Sequence, residues 1–343
     1  MTGFEPGAKL VNLVLLGLLT VLLILSLNTG PVALGWQTVL AALSPVSDPA
    51  ELSAAQLREY SIVTSVRLPR TLLALLVGAA LGGAGAALQG LLRNPLAEPG
   101  LLGVSASAAL GAVLCLYFGL AYQNVWWLPV CAMGGAALAT LLLQLLLKRN
   151  ASPLSLILAG VALSSLAAAL TSLAINLSPD PHDVQDIVLW LLGSLNGRSF
   201  EDLYLCLPFV AVGLILLLLC GRALDALTLG EDEAASLGVG LSALYLQVVI
   251  GAALCVGSTV AVTGTIGFVG LVVPHLLRPL VGARPSRLIL SSMLGGAVLL
   301  LLADMLTRVL IQGSEIMLGV VTALIGAPFF FLLVLRNSRE LNL

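Results

Sequence analysis

Long apolar runs separated by short polar connections are the main feature of this sequence. A helix that crosses the hydrocarbon core of a membrane needs about 20 predominantly apolar residues. The apolar runs that approach this length number ten: 10–27, 69–91, 101–119, 126–147, 153–176, 203–221, 241–263, 268–282, 287–310 and 317–336. The pattern predicts an all-α, polytopic membrane protein with about ten transmembrane helices, formed as a single domain over residues 1–343.

The first and the eighth of these runs differ from the rest. Run 10–27 could be a signal peptide, but no small-residue cleavage site follows it, so we interpret it as the first retained span. Run 268–282 is short, and Gly270 and Pro274 interrupt it. It predicts a broken helix, which membrane depth tolerates only where protein or a water-filled cavity surrounds it.

The composition agrees with a membrane protein. Hydrophobic residues make up 59% of the chain and charged residues 9%, whereas soluble domains have about 25% charged residues. Lys9 and Lys148 are the only lysines, and no basic stripe is interleaved with aromatic residues, so a nucleic-acid role has no support. The five cysteines lie in apolar runs without a CxxC pair, and we interpret them as small apolar residues rather than metal ligands.

The placement of the basic residues predicts the orientation. With the N-terminus inside, ten of the 15 lysine and arginine residues fall at inner connections or inner helix ends. The other five, on the outer side, are Arg58, Arg67, Arg70, Arg198 and Arg308. Because basic residues concentrate on the cytoplasmic side of membrane proteins, this bias predicts that both termini are cytoplasmic.

Chemistry-bearing motifs are scarce. The sequence contains no G-x-x-x-x-G-K-[ST] loop to hold ATP, no HExxH and no GxSxG, and His182 and His275 lie on opposite predicted faces. Asp304 is the best candidate for an ionisable group of an ion-coupled transporter. Arg308 follows it by one helical turn, so a structural ion pair is the other interpretation.

Small residues form a stripe on the second predicted span. Gly78, Gly82, Ala86 and Gly90 recur every four residues and therefore lie on one face of a helix. Such stripes let helix backbones approach closely in membranes. Tight packing within one subunit is the first interpretation, and a role in lining a pathway is the second.

Two connections contain motifs that favour protein partners. Arg67 and Arg70 begin the second span, where they either reach lipid phosphates or pair with acidic residues of an outer partner. In the inner connection 228–239, Thr228 and Glu231 match a capping box, and Gly238 can end the helix. This short helix has apolar residues that a solvated loop would not need, namely Ala234, Ala235 and Leu237. That face indicates docking into a partner's groove.

Five strings in this order resemble the FecCD family, the permease subunits of type II ABC importers for iron-siderophores, haem and vitamin B12. The strings are 67–70, 93–104, 228–239, 264–278 and 315–329, and the resemblance extends over about residues 10–336. Each string alone is weak, but five at matching topological positions are specific. Met317 stands where the family usually has proline, which affects the turn before the last span.

The resemblance implies a multi-pass permease of the bacterial cytoplasmic (inner) membrane that works as a homodimer with a second copy of itself. Two copies of a cytoplasmic ABC ATPase would bind the ATP and Mg, and an extracytoplasmic substrate-binding protein would deliver an iron-siderophore, haem or corrinoid. This chain itself would be surrounded by membrane lipid, would bind no cofactor or metal, and would not be an enzyme.

The family also implies roles for particular residues. Arg67, Arg70 and Arg308 match arginines that pair with glutamates of the binding protein. The string 228–239 matches the coupling helix seated in the ATPase, with these residues at the contact: Gly230, Glu231, Ala234, Ala235, Leu237 and Gly238. Ser152, Pro153 and Leu154 fall where the family has its cytoplasmic gate, although the local sequence differs from the Ser/Thr-rich version.

Overall fold

The computed structural model describes residues 6–44, 53–149, 152–309 and 316–340, and all regular structure in these ranges is helical. The helices are α1 (Pro6–Asn28), α2 (Trp36–Leu43), α3 (Ala54–Ser61), α4 (Leu68–Leu91), α5 (Val104–Tyr117), α6 (Leu120–Gln123), α7 (Trp127–Arg149), α8 (Pro153–Leu177), α9 (Pro181–Leu191), α10 (Phe200–Leu219), α11 (Gly221–Leu227), α12 (Glu231–Ser236), α13 (Leu241–Thr263), α14 (Val269–Val281), α15 (Pro285–Val309) and α16 (Leu318–Glu340).

The predicted spans are present as helices. In the described part of the chain, seven helical segments are long and apolar enough to cross a membrane, and α5, α14 and α16 are shorter apolar helices. Together they correspond to the ten predicted runs, so the all-α polytopic prediction is confirmed. The helix of the second run starts earlier than predicted, because a π-helical turn over 62–67 joins α3 to α4 without a break. A capping box of Ser53 and Gln56 begins this longer helix.

Helix α4 lies at the centre of the bundle, packed against α10, α13, α14 and α15. A Cβ atom added at Gly78 would lie 2.3 Å from the carbonyl oxygen of Gly296, and one at Gly82 would lie 2.1 Å from that of Ser292. The two helix backbones therefore touch, as small residues permit in membranes. This contact confirms the packing interpretation of the small-residue stripe.

Helix α14 begins deep inside the bundle. Its 13 residues give a length of about 20 Å, which is shorter than a hydrocarbon core of about 30 Å. Gly270 in its first turn abuts Gly85, near the inner end of α4 at Leu91. The non-helical segment 264–268 therefore descends from the end of α13 within the protein. The predicted short helix is confirmed, but the predicted break is wrong, because α14 continues as one helix through Gly270 and Pro274.

A buried polar group compensates for the first of the two prolines in α14. Pro274 has no N–H, which leaves the carbonyl oxygen of Gly270 without its helical partner. The Nε2 amide of buried Gln89 donates to that oxygen at 3.3 Å, and Arg278 donates to Gln89 Oε1 at 2.7 Å. Gln89 of α4 thus supplies the hydrogen bond that the carbonyl group of Gly270 lacks within α14.

Candidate functional site

The two ends of the bundle contain the residues that the sequence singled out. We call the end with Asn28, Leu68 and Val309 the outer end, and the end with Leu91 and Glu231 the inner end, after the predicted orientation.

A buried ion cluster forms at the outer end around Asp304 of α15. The Nε atom of Arg70 donates to Asp304 Oδ1 at 2.9 Å, and Arg308 pairs with Asp304 Oδ2. Arg70 also donates to Thr307 and to Asn196 at 3.3 Å. Asp304 is fully buried. Both arginines therefore form direct ion pairs with its carboxylate.

The same cluster fixes the end of α1. Arg308 donates to the carbonyl oxygens of Ser26 at 3.0 Å and Thr29 at 3.3 Å, and Arg67 donates to Leu27 at 2.9 Å. The last carbonyl groups of a helix have no partners within the helix and favour cations. Arg67 and Arg308 therefore clamp α1 against α4 and α15.

The three arginines predicted to dock a binding protein are thus neighbours, but they are not an open patch. Arg67 and the Arg308 side chain are each 4% exposed, and the Arg70 side chain is 15% exposed. Among the described residues, Asp304 is the acid that pairs with Arg70 and Arg308, and Arg67 donates to backbone carbonyl groups, so positive charge remains in surplus. The spacing of Asp304 and Arg308 predicted their ion pair. The contact between Arg70 and Asp304 was not predicted, because the two residues are 234 positions apart in the chain.

The predicted coupling helix is α12, at the inner end. Leu237 is 66% exposed and Ala235 is also exposed, whereas Ala234 is buried against the chain itself. Glu231 begins the helix and pairs with Arg93 at 3.2 Å. Ala234 therefore anchors α12 to this chain, and Ala235 and Leu237 remain available to a partner.

The predicted capping box of α12 is wrong. Thr228 ends the preceding helix, where its hydroxyl donates to the carbonyl oxygen of Asp225 at 2.7 Å. Gly230 takes the N-cap position with φ +130°, a conformation that favours glycine. The predicted stop at Gly238 is confirmed, because Gly238 has φ +84° and the N–H of Val239 donates to Ala234.

Ser152, Pro153 and Leu154 form the first turn of α8. The hydroxyl of Ser152 accepts from the N–H of Ser155 at 3.1 Å, and Pro153 is the first helical residue. Leu154 is 65% exposed. The first two residues therefore start the helix, and the third is free to contact a partner or to obstruct a pathway.

Helices α1 and α8 are both mostly exposed but present different faces. Only 17% of each span is buried. The exposed face of α1 is made of large aliphatic residues, including Leu10, Leu13, Val14, Val21 and Ile24. Along α8, large aliphatic residues are exposed as well, among them Leu158, Leu166, Leu173 and Leu177. Beside them, small and weakly polar residues recur every three or four positions and are also exposed: Ala162, Ser165, Ala169, Ser172 and Asn176. Large aliphatic side chains suit lipid, whereas a face like that of α8 is typical of helix contacts or a pathway.

Comparison with known proteins assigns the class. The sequence profile of the FecCD transport family matches residues 18–336, and the chain belongs to that family. It is a multi-pass permease subunit of a metal-chelate type ABC importer, which works with an ATPase and a binding protein and is not itself an enzyme. Since ATP drives such importers, the ion-coupled alternative through Asp304 is wrong.

Individual relatives refine the class. The uncharacterized ABC transporter permease protein YvrB of Bacillus subtilis is 46% identical over 81% of this chain and 80% of its own length. The vitamin B12 import system permease protein BtuC of Salmonella typhi is 42% identical over 81% and 84%. A solved inward-facing structure, assigned to the metal-chelate type of ABC transporter, is 36% identical, with a TM-score of 0.83 over 96% of this chain and 99% of that one.

Proposed function

We propose that two copies of this chain form the membrane pore of an importer for a large metal chelate, with both termini in the cytoplasm of a bacterial inner membrane. The observation that carries the proposal is the exposed face of α8, where Ser165, Ser172 and Asn176 lie on a span that little else covers. A second copy facing α8 across a pathway would account for both the exposure and the residue types.

Among iron-siderophores, haem and corrinoids, we propose a corrinoid as the first candidate cargo. The support is the identity to permeases named for vitamin B12 import. The chelator already holds the metal, so the pore needs no metal ligands. The described residues contain no group of three or more His, Cys, Asp or Glu side chains that could hold a metal ion.

The choice of cargo is tested on the binding protein encoded with this permease. Its affinity for cyanocobalamin, haem and a ferric siderophore is measured by calorimetry. We expect cyanocobalamin to bind most tightly and to increase ATP hydrolysis by the reconstituted complex. Tighter binding of another chelate would replace the corrinoid, and binding of a cargo that is not a chelate would contradict the proposal.

At the outer end, the surplus positive charge supports docking of acidic residues of the binding protein by Arg67, Arg70 and Arg308. Arg67 and Arg308 are occupied by the end of α1, so Arg70 is the one whose guanidinium is closest to solvent. In this proposal Arg70 makes the direct contact. The other two hold the cluster in place and add to its positive field.

At the inner end, the exposed face of α12 would sit in a groove of the ATPase, which binds ATP and Mg. Leu237→Asp introduces a charge on this face, and we expect it to release the ATPase during copurification while the permease stays folded. Leu40→Asp is the matched control, because Leu40 is 67% exposed on α2 in the outer connection. Retention of the ATPase by Leu237→Asp would show that α12 is not the main contact.

A further inference from the structure

The connection between α4 and α5, residues 92–103, meets α12 at one side. Arg93 lies in a left-handed conformation, φ +49°, directly after α4, and the N–H of Asn94 donates to the carbonyl oxygen of Gln89 at 3.2 Å. This turn directs the Arg93 side chain toward Glu231, 3.2 Å away. The connection therefore contacts α12 through one ion pair between partly exposed side chains.

The same connection reaches the deep start of α14 through one carboxylate. Glu98 Oε1 accepts from the backbone N–H of Phe268 at 2.6 Å. The first N–H groups of a helix have no partners within the helix, and a carboxylate there is favourable. Burial raises the pKa of the Glu98 carboxyl, and the hydrogen bond from Phe268 opposes that rise. Glu98 therefore caps a helix that belongs to a distant part of the sequence.

Phe268 is held in an unusual conformation at this contact. Its φ is +68°, which bulky residues rarely adopt. On its other side the ring packs on Gly326 of α16, where an added Cβ would lie 2.3 Å from Phe268 Cβ. A shift of Phe268 is therefore passed directly to the last span.

Close backbone contacts make the connection stiff. Pro99 packs on Gly270, where an added Cβ would lie 2.7 Å from Pro99 Cδ. The carbonyl oxygen of Leu101 lies 1.8 Å from the Cβ position of Gly160 in α8. With no room for a side chain at either glycine, the connection cannot move without α14 and α8.

We propose that Glu98 is a positioning residue of the transport cycle, whose hydrogen bond to the Phe268 N–H links the movement of coupling helix α12 to α14 and α16. This inference rests on the proposed function, because it assigns the path from the ATPase contact to the pore. The proposal is that a single acceptor oxygen of Glu98 makes this link, and that van der Waals packing around it does not suffice.

The test uses the whole complex of permease, ATPase and binding protein in proteoliposomes. Glu98→Leu removes the acceptor oxygen, and Glu98→Asp shortens the side chain that carries it. Glu98→Gln keeps an acceptor oxygen on a side chain of the same length. Glu201→Leu, at an exposed residue in the first turn of α10, is the control. The readouts are copurification of the ATPase, ATP hydrolysis stimulated by the binding protein, and chelate taken up per ATP hydrolysed.

We expect the Leu and Asp variants to assemble and to hydrolyse ATP, while uptake per ATP falls by up to about tenfold, the order of magnitude of one lost hydrogen bond. Glu98→Gln and Glu201→Leu should keep the wild-type ratio. Unchanged coupling in Glu98→Leu, or equal losses in the Leu and Gln variants, would overturn the proposal. If neither the Leu nor the Asp variant assembles, Glu98 is needed for folding, and the proposed positioning role is overturned.

The two proposals fail separately. If the wild-type complex shows no ATP-driven uptake of any chelate, the proposed function fails. If the wild-type complex transports and Glu98→Leu transports equally well, only the role of Glu98 fails.

Discussion

The ion pairs at the two ends of α4 differ in burial. At the outer end, Arg70 belongs to a cluster around Asp304, whose side chain is fully buried. At the inner end, Arg93 pairs with Glu231 where the side chains are 44% and 37% exposed. Breaking a buried pair leaves an uncompensated charge and costs several kcal/mol, whereas an exposed pair contributes about 0–1 kcal/mol. The outer end is therefore a fixed clamp, and the inner end is a contact that can break and re-form at little cost during a cycle.

The largest expected effect tests the clamp. Asp304→Asn keeps the side-chain shape but leaves Arg70 and Arg308 without their carboxylate. We expect a loss of about 3–5 kcal/mol in stability, measured by thermal unfolding of the purified permease in detergent. Asp186→Asn is the control, since its exposed carboxylate accepts from the Tyr122 hydroxyl. Equal unfolding temperatures for the two variants would show that the cluster does not clamp the outer end.

An intermediate effect is expected on docking at the same end. Arg70→Gln keeps a donor for Asp304 and removes the charge nearest to solvent. We expect the binding protein to bind up to about tenfold more weakly at low salt, with the difference shrinking as salt is added. The Kd is measured on nanodisc-embedded permease, with Arg58→Gln on exposed α3 as the control. An unchanged Kd and salt dependence would remove Arg70 from the docking surface.

The smallest effect concerns the inner end. Arg93→Gly and Arg93→Ala both lose the pair with Glu231, but only glycine relieves the positive φ of this position. We expect the glycine variant to be more stable than the alanine variant by about 1 kcal/mol, and both to lie within about 1 kcal/mol of wild type. A glycine variant less stable than alanine would mean that the left-handed turn is not a source of strain.

Hydropathy and charge were enough to predict the spans, because lipid demands long apolar helices whatever their partners. The short length of α14 was also predictable from the run 268–282, but the helix continues through Gly270 and Pro274, where a break was predicted. The start of the second helix at Ala54 was not predictable, because a polar helix that extends beyond the membrane looks like a loop in hydropathy.

The contacts of the candidate site were only partly predictable from the sequence, because local patterns show only neighbours along the chain. Asp304 and Arg308 share one helical face, so their spacing predicted the pair. The contacts Arg70–Asp304 and Glu98–Phe268 join residues 234 and 170 positions apart, and no local pattern encodes them. The capping box at Thr228 failed because Thr228 ends α11, and Gly230 takes the N-cap position of α12.

Uptake of labelled cyanocobalamin by proteoliposomes shows whether ATP drives a metal chelate through a pore built from this chain. The vesicles contain the permease, its ATPase and its loaded binding protein. We expect uptake that requires ATP and the binding protein and continues when ionophores collapse the proton and sodium gradients. Uptake that proceeds without ATP and stops with the ionophores would contradict the account.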